Sequence, residues 1–598
     1  MNDVLKSPQA PRGEPATTRA IGKVASPLDH KSTSEEFYFW VAPNTLVEKS
    51  QIVYTESTVG EQHLKFYGLI REVYRQSRQS DLGEEYDRYD GDINYQPPFD
   101  SSGFTYAAVS ILRTEPPVMT PPKEGSNVFL GGEHEAYLAY GADEIENRLA
   151  VGLVKNGGTH FAGPGYIDLD YLLGANGGHL NVNGVAGRGT KSSLLLHFNY
   201  LLLEEARRQQ RERPSDPDRL RIVPIILNVK NFDLFHIDRR SKRFDPHKQA
   251  EEWRALGIEK PGPFRNVTFY APQLPNLTVA VKTGRPKEDV QPYSWSLKDV
   301  VERGLLLYLF AEDDRQDANF AALVYDLDDW LTDERTERDG SRVRQIVPHA
   351  GRPQTFDELL GEIRSWTEGS GTPFSSKQHH ISTLRKLYRR LLLILSEGQG
   401  VLRRRDSQGK PLTITEHDTC DPKVIDLSSL AAVPSLQRFV AATIFNQLKE
   451  ERTGPKAQRG LIYLVTLDEL NRFAPHDAHD PITQLIEHVA AEMRSQGIIL
   501  LGAQQQASLV SKRVVENAGI RALGKSGSLE LSHPVWRFLS EAARRKASML
   551  LPEEKLLIQD NFREPMLVKI PFPPWALRGA DAVDDVSAPD TATAFDDP

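Results

Sequence analysis

A short segment containing glycines and a lysine is the first candidate for chemistry in this sequence. It reads HLNVNGVAGRGTKSSLLL over 179–196, between an apolar strand-like run and a leucine-rich helix-like run. Glycines let several backbone N–H groups turn toward one anion, and a helix that begins near Lys191 adds its positive end. In such a loop Lys191 would contact the β- and γ-phosphates of a nucleotide, and the Ser192 hydroxyl would bind Mg²⁺.

The spacing of this segment departs by one residue from the usual phosphate-loop pattern, G-x-x-x-x-G-K-[ST]. Thr190 stands where that pattern has the glycine before the lysine, and Val185 stands where it has the first glycine. Taken alone, the segment is therefore equally well explained as a glycine-rich surface turn. The residues predicted to bind the nucleotide are Gly184, Gly187, Gly189, Thr190, Lys191, Ser192 and Ser193.

A second polar segment follows an apolar strand-like run, in LIYLVTLDELNRFAP over 461–475. At a strand tip beside a phosphate loop, Asp468 would hold Mg²⁺ through its water shell, and Glu469 would polarise the attacking water. A solvated acidic turn is the alternative explanation of this pair alone. Both segments occur in the required order within an α/β pattern, so together they predict a site for ATP and Mg²⁺.

A third segment, EMRSQGIILLGAQQQASLV over 492–510, contains an arginine before a predicted strand and a glutamine cluster after it. A polar amide at the tip of this strand could sense the γ-phosphate of ATP. Arg494, at the end of the preceding helix, could lie at a subunit edge and stabilise the transition-state charge on a neighbour's ATP. The alternative for Arg494 is a cation that the helix dipole favours at a helix C-terminus.

Together these segments resemble the HerA branch of the HerA–FtsK superfamily of hexameric DNA-pumping ATPases. The resemblance rests on HLNVNGVAGRGTKSS, DELNRFAP and RSQGIILLGAQQQAS, and it covers about 34–575. The segment LNVKNFDLFHID is similar to a bacterial subgroup whose phosphate loops also carry the GTKS variant. The resemblance implies that Gln505 senses the γ-phosphate and that Arg494 acts in trans. Here the family's Gln-Arg-Pro-Ser reads Gln-Gln-Ala-Ser, so its arginine and proline are missing.

The pattern of elements and this resemblance predict an α/β protein with a RecA-like P-loop ATPase core. Near-continuous apolar strands alternate with amphipathic helices, which is typical of a parallel sheet covered on both faces. Short alternating runs near the start resemble the HAS barrel, a small N-terminal β-barrel. The predicted parts are a disordered segment at 1–33, the barrel at 34–165, the core at 166–230 and 421–575, a mixed, mostly helical insertion at 231–420, and an acidic disordered tail at 576–598.

The composition is that of a soluble protein with several domains. Of the 598 residues, 39% are hydrophobic and 26% charged, and no apolar run approaches the roughly 18 residues of a membrane span. The start of the chain has no apolar signal segment, and the single cysteine, Cys420, excludes an intramolecular disulfide. These features predict the cytoplasm. The pair His379 and His380 lacks the spacing of a metal site.

The net charge of −9 neither supports nor excludes a nucleic-acid partner. Six of the aspartates lie in 579–598, and a ring that moves DNA needs basic groups only on the surface that lines its channel. Two basic segments, 238–248 and 401–410, are candidates for gripping DNA phosphates, with solvated basic loops as the alternative.

The resemblance implies an ATP-driven pump of double-stranded DNA. Such a pump is expected to be a homo-hexamer that acts with a nuclease-like or other effector protein, and no membrane partner is expected. Its expected setting is antiviral defence or DNA-end processing. The alternative is a hexameric scaffold, in which ATP mainly assembles the ring that activates an effector enzyme, with little or no translocation. A conjugative or chromosome-segregation pump is a third, less favoured reading, because those pumps usually carry a membrane anchor.

Overall fold

The computed structural model describes most of the chain. The described residues are 19–27, 29–76, 87–92, 94–95, 103–174, 177–185, 190–231, 233–275, 283, 285–310, 314, 317–336, 342–347, 351–369, 371–374, 379–398, 400–414, 420–453, 460–478 and 480–583.

The N-terminal strands form a small closed barrel. They are β1 (Gly22–Val24), β2 (Glu36–Val41), β3 (Ile52–Val59), β4 (Gln62–Gln76), β5 (Phe104–Glu115) and β6 (Asn127–Leu130). Their order around the barrel is β1-β2-β5-β4-β3-β6, and each neighbouring pair is antiparallel. Alternate side chains of these strands point inward, so that Phe37, Phe39 and Phe66 fill the interior. Gly68 allows β4 to approach β5, because a Cβ there would lie only 2.3 Å from Val109 Cγ1.

The later strands of the described chain build a second, larger sheet. They are β7 (Arg148–Lys155), β8 (Phe161–Asp168), β9 (Leu180–Asn183), β10 (Arg221–Asn228), β11 (Thr268–Pro272), β12 (Val290–Tyr293), β13 (Thr332–Thr336), β14 (Arg342–Ile346), β15 (Lys423–Asp426), β16 (Leu461–Leu467), β17 (Ile498–Gln504), β18 (Ile520–Leu523), β19 (Glu554–Gln559) and β20 (Met566–Lys569). Apart from the ribbon β13–β14, they lie in the order β12-β11-β15-β10-β16-β17-β9-β18-β19-β20-β7-β8.

The larger sheet is parallel from β12 to β18 and antiparallel from β18 to β8. The predicted fold class is thereby confirmed: a small N-terminal barrel precedes an α/β core on a largely parallel sheet. Within this order β17 lies between β9 and β16. The hairpin β7–β8 pairs with β20 of this sheet and not with the barrel, and β11 and β12 from 231–420 extend its other edge.

The helices of the described chain are α1 (Glu133–Ala139), α2 (Leu169–Leu173), α3 (Thr190–Glu212), α4 (Pro246–Ala255), α5 (Leu297–Glu302), α6 (Ala318–Leu331), α7 (Phe356–Thr367), α8 (Ile381–Glu397), α9 (Pro434–Thr453), α10 (Pro481–Ala491), α11 (Lys512–Glu516), α12 (Ser528–Ser532) and α13 (Glu541–Met549). Of these, α3 packs on one face of the larger sheet, and α9 and α10 pack on the other. Successive residues of a strand face opposite sides, so Leu464 packs in the cluster that contains α3, and Val465 packs in the cluster that contains α9 and α10. Both faces are therefore apolar, which explains the continuous apolar runs.

Two buried histidines tie helices and strands together in their neutral form. His179, before β9, accepts a hydrogen bond at Nδ1 from Leu500 N (2.9 Å) and donates from Nε2 to Ala490 O (3.0 Å). His197, on α3, donates from Nε2 to Val151 O (2.8 Å). Burial lowers the pKa of each imidazole from 6.5 to about 4, because desolvation disfavours the charged ring.

These histidines predict a loss of stability in mild acid. Between pH 6.5 and 4 the unfolded chain binds protons that the folded chain does not, so the free energy of unfolding falls as the pH falls, by up to about 2 kcal/mol per histidine at pH 5. Thermal unfolding at pH 7.5 and pH 5 measures the effect. In His197→Gln the drop in Tm between these pH values should be smaller than in the wild type; an equal drop in both proteins would contradict the assignment.

None of the helices in the described part of the chain combines the length and the apolar character that crossing a membrane requires.

Candidate nucleotide site

The carboxyl ends of four neighbouring strands bring the sequence-predicted residues together. Across β10-β16-β17-β9 all strands are parallel, so the residues that follow them lie at one edge of the sheet. Asp468 and Glu469 follow β16, Gln505 follows β17, and the loop from Gly184 to α3 follows β9. Ligands of open parallel sheets bind in crevices at this edge.

Ser192 and Asp468 are in direct contact. Ser192 Oγ, in the first turn of α3, donates a hydrogen bond of 2.6 Å to Asp468 Oδ2, while Asp468 Oδ1 accepts one of 2.9 Å from Glu469 N. The two residues are 276 positions apart in the chain, so this contact depends on the sheet order. A hydroxyl beside a carboxylate is the donor set that Mg²⁺ uses when a substrate's phosphates and water complete its shell. These residues therefore fit the predicted metal.

Lys191 is a buried cation whose ammonium has no hydrogen-bond partner among the described residues. Only 8% of its side chain is exposed, and Nζ lies 3.7 Å from Glu469 Oε1, an ion pair without hydrogen-bond contact. Burial lowers the pKa of Lys191, and the negative charges of Asp468 and Glu469 oppose that shift. An ammonium that is buried without a hydrogen bond is costly unless an anion completes its shell. A phosphate group would do so.

Glu469 lies at the centre of this edge in a strained conformation. Its φ of 58° is in the left-handed region, which side chains other than glycine, asparagine and aspartate rarely adopt. Strain of this kind persists where neighbouring structure imposes it, and it is concentrated at functional sites. Close packing contributes here, because a Cβ on Gly502 of β17 would lie 2.8 Å from Leu470 Cδ2, directly after Glu469.

One oxygen of the Glu469 carboxylate has two hydrogen-bond donors and a further cation beside it. Oε1 contacts the ammonium of Lys230, accepts a hydrogen bond of 3.3 Å from Gln505 Nε2, and lies beside Lys191. Burial by itself raises the pKa of Glu469, but the hydrogen bond and charge of Lys230, with the charge of Lys191, outweigh it and hold the pKa below its usual value. Glu469 is therefore held ionised, with Oε1 engaged by Lys230 and Gln505.

Sequence reasoning missed Lys230 as a member of this site. It follows β10 in LNVKNF and contacts Glu469 across 239 positions of sequence. The signal was available in part, because a lysine directly after an apolar strand lies at the edge where ligands bind. The sequence did not show that β10 is the neighbour of β16.

A second missed residue, Glu530 on α12, holds the loop after β17. Its buried carboxylate accepts hydrogen bonds from Ala507 N (2.9 Å), Ser508 Oγ (2.7 Å) and Trp536 Nε1 (2.9 Å). Glu530 therefore fixes the segment that contains Gln505. No motif predicted this role, since an isolated glutamate on a short helix has no distinctive spacing.

Arg494 lies at the opposite edge of the sheet. It precedes β17, in a turn of 3₁₀ helix at Met493–Gln496, and its Cβ packs against Gly178 before β9. The seven residues of β17 separate it from Gln505, a distance of roughly 20 Å. Arg494 therefore does not reach the acid pair of its own chain.

Part of the predicted phosphate loop falls outside the described residues. Gly187 and Gly189 are not described, and of Thr190 only the backbone is, as the first residue of α3. Gly184 follows β9 and is hydrogen-bonded to the neighbouring strand β17, since Gly184 N donates to Gln504 O (3.3 Å). Ser193 is half-buried in the first turn of α3. The effect of the one-residue irregularity stays a prediction.

Comparisons with known proteins give weak structural likenesses. No protein-family model matches the chain, and no curated protein sequence matches it. Among solved structures, a bacterial conjugative coupling protein, TrwBdeltaN70, aligns with 12% identity and a TM-score of 0.44, over 76% of this chain and 95% of its own. VirB4 of Thermoanaerobacter pseudethanolicus aligns with 16% identity and a TM-score of 0.40, over 71% and 97%.

The genome packaging NTPase B204 from Sulfolobus turreted icosahedral virus 2 aligns with 14% identity and a TM-score of 0.20, over 26% of this chain and 68% of its own. At these scores and identities the likenesses establish neither the family nor the activity of this chain. The resemblance to HerA proteins stays a prediction from the sequence.

Proposed function

We propose that this chain is a Mg²⁺-dependent ATPase whose nucleotide lies between the loop that leads into α3 and the pair Asp468–Glu469. The observation that carries the proposal is the junction of those two segments: Ser192 Oγ donates to Asp468, and the buried Lys191 ammonium lies 3.7 Å from Glu469 without a hydrogen bond. Ser192 and Asp468 can therefore bind a divalent cation, and Lys191 can bind phosphate. Both lie beside Glu469, the candidate general base.

Each residue at this edge has a distinct task in the proposed reaction. Lys191 binds the phosphates at the end of the nucleotide, and Ser192 with Asp468 orients the metal. Mg²⁺, when bound, neutralises charge on the phosphate oxygens. Glu469 accepts the proton of the attacking water, and Gln505, from the tip of β17, donates a hydrogen bond to the terminal phosphate or to that water.

Arg494 acts in this proposal on a neighbouring chain. It lies roughly 20 Å from the acid pair of its own chain, at the amino ends of the strands, so a cis role would need a large rearrangement. In a closed ring the amino-end edge of one subunit can face the carboxyl-end edge of the next. The guanidinium would then stabilise charge on the neighbour's transferring phosphate.

The finer proposal is a HerA-like translocase of double-stranded DNA. It works as a cytoplasmic homo-hexamer with a nuclease or other effector partner, in antiviral defence or DNA-end processing. Of the two basic segments proposed to grip DNA, 238–248 offers the exposed Lys242. In 401–410, Arg404 and Arg405 form ion pairs with Asp357, which reduces the charge free for phosphates.

An ATP-dependent scaffold is the second candidate. Two observations favour it: Lys230 contacts the proposed general base Glu469, which is suited to slow turnover, and two arginines of 401–410 are paired with a carboxylate. In this version ATP assembles the ring, and the ring activates its effector enzyme.

Duplex DNA separates these two candidates. A translocase is expected to hydrolyse ATP several-fold faster with duplex DNA at 50 mM salt. The stimulation should disappear near 200 mM salt, because a protein that contacts 6–10 phosphates loses about 10³-fold or more in affinity over this range. Steady-state ATPase assays measure it, and mass measurement reports the assembly. Nucleotide-dependent assembly without any DNA stimulation would contradict the translocase and support the scaffold.

A further inference from the structure

We propose that Lys230 is a second phosphate-binding cation, which leaves Glu469 for the terminal phosphate when ATP binds and so frees the general base. This inference rests on the proposed ATPase function and deepens it. It assigns to Lys230 the discrimination between a nucleoside triphosphate and a diphosphate.

The occupancy of Glu469 shows why such an exchange is needed. A carboxylate can take a proton from water only if an oxygen lone pair faces that water. Here the ammonium of Lys230 and the amide of Gln505 both contact Oε1, and Lys191 lies 3.7 Å from the same atom. While Lys230 remains there, Oε1 does not face the attacking water. Use of Oε1 as the base therefore requires that Lys230 move away from it.

The incoming nucleotide supplies the destination for that charge. The side chains of Lys191 and Lys230 bring two positive charges to this edge, and those of Asp468 and Glu469 bring two negative charges. A triphosphate with Mg²⁺ adds about two more negative charges, so carboxylate and phosphate oxygens compete for the two ammonium groups. Both cations already lie at one carboxylate oxygen, so a phosphate that reaches Lys191 is within reach of Lys230.

The strand order indicates which phosphate Lys230 reaches. In the proposed site the phosphates lie against Lys191, in the helix that follows β9, whereas Lys230 follows β10, beyond β16 in the strand order. Phosphates extending from Lys191 toward Glu469 therefore bring their last member closest to Lys230. A diphosphate ends one group short, so Lys230 stays on Glu469.

Lys230 is built to move while its backbone stays fixed. Its side chain is 38% exposed, against 8% for Lys191 and 7% for Glu469. The turn behind it is anchored, because Asn228 Nδ2 donates to Asn231 O (2.6 Å). A flexible stem on a fixed turn can exchange one anionic partner for another with little cost to the fold.

The test compares the affinities for a triphosphate and a diphosphate. Calorimetric titration with Mg²⁺ and ATPγS or ADP should show that Lys230→Met weakens ATPγS binding by at least about tenfold, the loss of one charge-assisted hydrogen bond, while ADP binding stays unchanged. Lys230→Gln serves if the methionine variant is unstable. Lys298→Met is the matched control, because Lys298 is a surface residue of α5 that faces Glu302.

The outcomes separate this inference from the proposed function. An unchanged ratio of ATPγS to ADP affinity in both Lys230 variants would overturn the role of Lys230, even if turnover changed, because a lysine that only orients Glu469 alters rate and not discrimination. If the folded wild type bound neither nucleotide, the ATPase proposal would fail instead. Loss of both affinities in a Lys230 variant whose Tm matches that of the wild type would also contradict the inference.

Discussion

Glu469→Gln is expected to lower ATP turnover by roughly 10²- to 10⁴-fold, the usual contribution of a general base. Glutamine keeps the size of the side chain and its hydrogen-bond acceptor but cannot take the proton of the attacking water. Lys191, Ser192 and Asp468 are untouched, so the nucleotide should still bind. Steady-state phosphate release measures the rate.

The control for this variant is Glu368→Gln at the exposed end of α7, where the carboxylate pairs with Arg364 at the surface. It should turn over like the wild type. Folding is checked by Tm, because Glu469 is buried and its left-handed backbone is strained. A Glu469→Gln protein that is folded and hydrolyses ATP at the wild-type rate would show that another group activates the water.

The second large effect is expected from Arg494→Ala. Arginines that stabilise a neighbour's transferring phosphate contribute about 10³- to 10⁵-fold to phosphoryl transfer, so turnover should fall by at least about 10³-fold with little change in ATP affinity. Arg545→Ala is the control, since Arg545 lies exposed on α13 and pairs with Glu541. A normal rate in Arg494→Ala would return this residue to the simpler role of a cation at a helix end.

Mixing the two inactive proteins tests the trans arrangement. A subunit with Arg494→Ala still has a complete acid pair, and a subunit with Glu469→Gln still has its arginine. Where a Glu469→Gln subunit supplies its arginine to the nucleotide site of an Arg494→Ala neighbour, that site has both the acid pair and the arginine. Co-assembled mixtures should therefore show more ATPase activity than either protein alone, whereas purely additive, near-zero activity would contradict an arginine supplied by the neighbour.

The acid pair and its metal partner could be predicted from local sequence because each lies where a distinctive pattern ends. Asp468 and Glu469 terminate an apolar run, and Lys191 and Ser192 begin a leucine-rich helix after glycines. Parallel strands carry such residues to one edge whatever lies between them, so the contact between Ser192 and Asp468 needed no knowledge of the intervening chain.

Lys230 could not be assigned in the same way, because its partner depends on which strands are neighbours. The stretch of more than 200 residues between β10 and β16 contributes β11, β12 and β15 to the same sheet, and no local pattern states that β10 lies against β16. The same limit applies to β7 and β8. Their alternating sequence indicates antiparallel strands, but it does not show that they pair with β20 and not with the barrel.

Glu530 illustrates a different limit. A buried glutamate is favourable only because three donors converge on it. Two of them, Ala507 and Ser508, lie in the loop after β17, and the third, Trp536, lies after α12, so only folding brings them together. The sequence shows a glutamate between leucines and nothing of its partners.

The most direct test of the central claim is calorimetric titration of folded Glu469→Gln protein with ATP, with and without Mg²⁺. This protein should hold ATP without consuming it, so the heat reports binding alone. If the nucleotide lies between Lys191 and the Ser192–Asp468 pair, ATP binds at one site per chain and binds more tightly with Mg²⁺. A well-folded protein that takes up no ATP in either condition would contradict the account.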